Sequence, residues 1–214
     1  MITTVSFTHC WKSVRASLLA LWLCVPVLLL LVATGARAQP SAAEFTQMRL
    51  ERDAEGIYVF ASLRVDLPAA VEEALVKGVP MFFVVEAEVM RHRWYWSDKV
   101  VASMQRHLRL AYQPLTRRWR LNVASGVITN SSMGMTLNQS FDTLAEAMAA
   151  LRRLSGWKVA DASVLDPGST HKVEVRFALD LAQLPRPFQI GAFGQSDWTI
   201  SARAMQQISP EGTR

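Results

Sequence analysis

Arg91-His92-Arg93-Trp94-Tyr95-Trp96-Ser97-Asp98 gathers the residue types in this chain best suited to holding a ligand. Adjacent aromatic rings can stack on a sugar or a planar group, and flanking guanidinium groups can grip an anion. Arg91, Arg93, Trp94 and Trp96, with Arg109 further along, therefore form a candidate site for an anionic glycan or small ligand. The same residues also read as packing, with Trp94 and Trp96 alternating into one layer and Tyr95 lining the other side. The surrounding charge has a structural reading too. Residues 91–120 hold eight Lys or Arg against Asp98 alone. If the strand expected over Met81–His92 pairs with a later one, Glu86 and Glu88 would face His107, Arg109, Arg118 or Arg120. Each such cross-strand pair contributes about 0.2–1 kcal/mol and would cancel the patch. Of the two readings, packing is preferred.

Other chemistries find no matching pattern. His92, His107 and His171 are the histidines beyond the N-terminal segment, and no two have a metal-ligand spacing such as i, i+4. A nucleophile elbow needs Gly-x-Ser-x-Gly, which does not occur. Gly191 and Gly194 lack the phosphate-cradle pattern and follow no βαβ unit. The paired carboxylates Glu72/Glu73 and Glu86/Glu88 read as solvated surface on a helix and on a strand. Asn130 and Asn138 begin sequons that matter only in a eukaryotic secretory pathway. Phe188, Ile190, Phe193, Trp198 and Ile200 read as the last strand and its entry loop rather than as a docking groove. No catalytic residue, metal ligand or cofactor is assigned.

The elements that must position these residues are mostly strands. Val173, Val175, Phe177, Leu179 and Leu181 alternate with Lys172, Glu174, Arg176, Ala178 and Asp180, the pattern of a strand with one buried face. Ile57–Val65 alternates likewise, and Asp53–Gly56 supplies turn residues joining it to a strand at Phe45–Arg52. Further strands are predicted at Met81–His92, Met104–Tyr112, Arg117–Val123, Lys158–Leu165 and Trp198–Met205. Helical spacing occurs twice. Pro68 opens the first helix, Leu67, Val71 and Leu75 form its face, and Gly78 closes it. Phe141, Leu144, Met148 and Leu151 mark the second. Thr143 and Glu146 stand at capping-box spacing, Arg152 and Arg153 fall in its last turn, and Gly156 follows as the C′ residue. Ser125–Ser140 reads as a long loop, and the prolines of Leu184–Pro187 as a strand exit or edge. The fold class is α+β, mainly antiparallel β in a sheet or sandwich, with two short amphipathic helices.

The N-terminus supplies an address. Lys12 and Arg15 precede the apolar run Leu18–Ala33, and Ala36-Arg37-Ala38 places small residues where an export peptidase reads. At 16 residues that run is shorter than the roughly 20 that comfortably span a bilayer. Residues 1–38 are expected to be a signal peptide cleaved after Ala38, delivering 39–214 to the periplasm as a single domain. The alternative is an inner-membrane anchor at residues 18–33. Cys10 and Cys24 both precede the cleavage site, so the mature domain holds no thiol and must rely on its core. A domain of about 150 residues buries close to 70% of its unfolded surface, which suffices. The pI near 9.6 is partly the leader's, since Lys12, Arg15 and Arg37 supply three of the five net charges. A mature chain with 20 bases against 18 acids does not read as a nucleic-acid binder.

Ser140–Met148, Leu184–Gln189, Asp197–Ser201 and Arg93–Ser97 together resemble the bacterial domain-of-unknown-function family numbered 4390, over nearly all of the chain from Phe45 onward. The resemblance implies an exported or signal-anchored proteobacterial protein without an assigned activity, of a kind encoded beside nitrogen-regulation-type sensor kinases. It carries over no catalytic residue. The resulting expectation is a non-enzymatic envelope domain that binds a protein partner, such as the outward-facing part of a membrane sensor kinase. Membrane contact is expected only through an uncleaved leader. The alternative is the ligand binder described above, and a hydrolase with an unfamiliar site ranks last.

Overall fold

The computed structural model describes residues 42–92, 95, 98–125, 136–166, 168–192 and 198–209. The signal-peptide reading and the tryptophans Trp94 and Trp96 lie outside these residues. Alternating side chains set the architecture. In strand β3 (Met81–Arg91), Met81, Phe83, Val85, Ala87 and Val89 are buried while the residues between them are partly exposed. Strand β2 (Gly56–Val65) repeats the pattern with Ile57, Val59, Ala61, Leu63 and Val65. Burying one face of each strand forces two sheets to meet.

A six-stranded antiparallel sheet runs β6-β5-β4-β3-β8-β9, with β4 at Lys99–Gln113, β5 at Arg118–Ser125, β6 at Thr136–Phe141, β8 at His171–Leu179 and β9 at Ser201–Ile208. A three-stranded sheet runs β1-β2-β7, with β1 at Ala43–Arg52 and β7 at Arg153–Asp161. Both contribute to one apolar cluster. Ile57, Val59, Leu63 and Trp157 enter it from the smaller sheet, and Phe83, Val85, Leu110 and Phe177 from the larger. Phe83 and Phe177 stack there with ring centroids 5.4 Å apart. The fold is mainly antiparallel β with short helices, as the alternation predicts.

Helix α1 (Ala69–Val76) buries Val71, Ala74 and Leu75. It ends as expected at Gly78, whose φ of +86° lets its amide reach the Leu75 carbonyl and Val79 the Ala74 carbonyl. Helix α2 (Leu144–Leu151) begins at Thr143, whose Oγ1 accepts from the Glu146 amide at 3.2 Å. Glu146 in turn accepts from the Asp142 amide, so the capping box forms one residue early.

Four expectations need correction. The polar stretch read as loop through Ser140 holds a strand from Thr136, because Asn138 and Gln139 pair with Asn122 and Leu121 without any apolar alternation. The prolines of Leu184–Pro187 open a third helix, α3 (Arg186–Ala192), where their missing amides cost nothing and the Pro185 carbonyl accepts from Phe188 and Gln189. The second helix ends earlier than its basic residues suggest. Arg152 caps it and donates to the Val65 carbonyl, and Arg153 already belongs to β7. Gly156 is therefore not a helix C′ residue. It stands in β7 at φ +57°, where the pairing with β2 slips between Val59 and Ala61.

Candidate functional site

Register decides which basic residues meet. Arg91 pairs with Lys99 and His171, while Arg109 pairs with Phe82 nine positions away along β3. At about 3.3 Å per residue that separation is roughly 30 Å. The two also lie on opposite faces, since Arg91 continues the buried set of β3 and Phe82 belongs to the outer one. The structure therefore does not bring Arg109 to Arg91. Arg93, Trp94 and Trp96 lie outside the described residues, and Tyr95 is exposed.

Arg91 is engaged by Asp166 in an ion pair. Asp98 lies 3.1 Å from His92 Nδ1 and 3.8 Å from Lys172. The carboxylates at this end thus come from the loop residues Asp98 and Asp166. The expected neutralisation by β3 does not occur. Glu86 faces Gln105 on one side and Arg176 on the other, and Glu88 faces Ser103 and Glu174. Gln105 donates to Glu86 at 2.8 Å. Pairing Phe83 with Leu108 and Met81 with Leu110 fixes this register, so His107 falls opposite Val84 instead. Arg109 rests over the Phe82 ring at 5.7 Å.

Two histidines are buried. His171 is enclosed at the end of the core, and burial first, then Arg52 and Arg91, lowers its pKa against the opposing effect of the Ser169 backbone. His107 is buried on the outer face with neither ring nitrogen hydrogen-bonded among the described residues. Its pKa is lowered by burial, against Asp180 and Glu86. Trp198 and Ile200 are buried and Phe188 packs against the same core, as the packing reading of the C-terminal apolar set expects, while Phe193 and the Ile190 side chain lie outside the described residues.

Sequence reasoning missed the most ligand-like feature. The smaller sheet is too narrow to cover the larger one, and a cleft of about 470 Å³ remains between β4, β5, β6, α2 and the start of β7. Leu108, Leu121 and Leu154 form its buried floor, and Leu137 stands at its exposed rim. Arg106 and Arg153 also line it. Arg106 occupies a core-face position, opposite Val85, where β4 otherwise places Leu108 and Leu110. Its guanidinium lies over Trp157, and burial lowers its pKa. Among the described residues no carboxylate stands at ion-pair distance from it. The available signal was a cation at an apolar phase of a strand, Arg106 two residues before Leu108. A larger depression of about 770 Å³ over β1 and β2 includes Arg49, but Glu51 pairs with that side chain at 2.9 Å.

The second missed feature adjoins the cleft. The described part of β5 ends at Ser125, opposite Arg106, and among the described residues Lys99–Gln105 of β4 has β3 on one side and no strand on the other. Val100 and Met104 in that stretch are 47% and 43% exposed.

Among the described residues no group of His, Cys, Asp and Glu could hold a metal, and no helix is long and apolar enough to cross a membrane. A family model described as a domain of unknown function, DUF4390, matches residues 40–208. No curated protein and no solved structure matches the chain.

Proposed function

For a chain that belongs to the DUF4390 family, we propose the role of an exported, non-catalytic envelope domain that binds a protein partner. Export is argued from the order of positive, apolar and small-residue segments in residues 1–38, which an export peptidase would cut after Ala38. The non-enzymatic reading is argued from motif content, where no nucleophile, acid–base pair or ligand set stands at a working spacing. The outward-facing part of a membrane sensor kinase is the partner we favour.

One observation carries the binding role. The edge of β4 over Lys99–Gln105 has no strand beside it among the described residues, yet these residues keep their strand pairing with β3 and expose Val100 and Met104. Such an edge presents backbone donors and acceptors that an added strand can satisfy, with side-chain contacts supplying selectivity. Lys99, exposed at the end of this stretch, disfavours pairing with a second copy that would bring like charges near one another and suits a partner segment carrying an acidic residue there.

Site-specific photo-crosslinking in cells tests this. A crosslinking residue at Ser103 should capture one reproducible protein, and the same residue at Glu73 on α1 should not. Equal capture at both positions, or none at Ser103, would defeat the assignment. The mature N-terminus, read by mass spectrometry, tests export separately. Gln39 is expected, and retained Met1 would convert the domain to an anchored one.

A further inference from the structure

The cleft beneath Arg106 contains an imbalance that the partner edge does not explain. A guanidinium placed among apolar side chains sacrifices hydration, and proteins restore it with a carboxylate or a dense set of hydrogen bonds. Arg106, half-buried at this position, has neither among the described residues, and its guanidinium lies 5.0 Å from the Trp157 ring. The ring faces the cation but cannot replace an anion. Everything else about the position favours an apolar residue. The facing residue on β3 is Val85, which is buried, and the next core-face residues of β4 are Leu108 and Leu110.

The surroundings indicate what the missing group is attached to. Leu108, Leu121, Val123, Leu137, Ala149, Ala150 and Leu154 make most of the cleft wall, with Gln139, Ser155 and Arg153 as its remaining polar side chains. At about 470 Å³ it falls at the small end of the range for small-molecule pockets, roughly 300–1,000 Å³. A phosphate-rich ligand would leave that apolar wall facing charge. A neutral hydrocarbon would leave Arg106 unanswered. The geometry points to an amphiphile with one carboxylate head and an unbranched aliphatic body of medium length, the head on Arg106 and the chain along Leu108, Leu121 and Leu154. Arg153, exposed at the mouth, gives the head a second cation on entry. This site rests on observations separate from the β4 edge, and either can fail alone.

Calorimetric titration of the purified full chain with decanoate, decanol and acetate is the test, repeated on Arg106→Met and Ala150→Phe. Decanoate should bind and raise the thermal midpoint, while acetate does neither. Arg106→Met should weaken decanoate about tenfold or more, the factor expected for one lost charge-assisted hydrogen bond, and leave decanol unchanged. Ala150→Phe, which fills the cleft without touching Arg106, should abolish decanoate binding, with circular dichroism confirming that the domain folds. Equal decanoate affinity in wild type and Arg106→Met would overturn the assignment. So would decanol binding as tightly as decanoate, or no decanoate binding to a folded wild type.

Discussion

The guanidinium carbon of Arg106 lies 5.0 Å from the centroid of the Trp157 ring, joining β4 of the six-stranded sheet to β7 of the three-stranded one. The contact is favourable by about 0.5–2 kcal/mol, while the desolvation of an unpaired cation opposes it by a comparable amount. Arg106 therefore contributes little net stability. Arg106→Met keeps an unbranched, flexible side chain, though a shorter one, removes the charge, and should leave the urea midpoint within the equivalent of about 1 kcal/mol of wild type. Leu108→Ala, two residues along on the same face, should cost about 2–5 kcal/mol, because it opens a void in the buried floor. An Arg106→Met loss as large as the leucine's would mark the arginine as a structural element.

Acid should destabilise the domain through its buried histidines. His171 and His107 both have folded-state pKa values below the ordinary 6.5. The unfolded chain then binds protons that the folded one refuses, so stability is present above about pH 6.5 and is lost as pH falls below it toward the folded values. The groups facing His171 are Arg52 and Arg91, and Asp166 is held by Arg91. Each histidine can contribute a slope of up to about 1.4 kcal/mol per pH unit in that window. Denaturant titrations between pH 7 and pH 5 should show the slope, and His171→Gln should reduce it to the part supplied by His107, whatever its effect on absolute stability.

Two glycines in the smaller sheet should behave differently on substitution. A Cβ on Gly56 would sit 1.9 Å from the Ala160 carbonyl oxygen, at a φ of +155°. The β2–β7 pair would have to open, so Gly56→Ala should cost well above the about 1–2 kcal/mol of backbone strain alone. Gly156 has a φ of +57° and nothing nearer to its would-be Cβ than the Phe60 ring at 3.9 Å. Only backbone strain resists there, and Gly156→Ala should cost about 1–2 kcal/mol, with Asn tolerated better. Thermal midpoints of the variants decide the matter.

Strands with one buried face were readable wherever side chains alternate, and so β2, β3 and β8 emerge close to their actual bounds. Strand β6 escaped because it is a short edge strand whose only apolar residues, Leu137 and Phe141, are separated by Asn138, Gln139 and Ser140. Helix α3 escaped because Pro185 and Pro187 serve equally to end a strand and to open a helix, and only tertiary packing chooses. The candidate site fared worse for a related reason. Arg91 and Arg109 look like neighbours in a list of basic residues, but a hairpin separates them by length and by face. At Arg106 the local pattern offers a cation at an apolar phase of a strand, but the cleft around it depends on how far one sheet covers another, which no local pattern encodes.

The stretch of β4 with no strand beside it among the described residues predicts a self-association phenotype. Val100 and Met104 are exposed on a stretch with strand geometry, a combination that invites edge-to-edge pairing. Lys99 is the charge placed to discourage it at the free end. Lys99→Val removes this charge without touching the core, since Lys99 is exposed. The variant should fold with an unchanged urea midpoint yet sediment as a concentration-dependent mixture of monomer and larger species. Adding Met104→Lys should restore the monomer by returning a cation to the same edge. A Lys99→Val protein that stays monomeric throughout would mean that this edge is not available to a second strand, and the partner-binding reading would lose its structural support along with it.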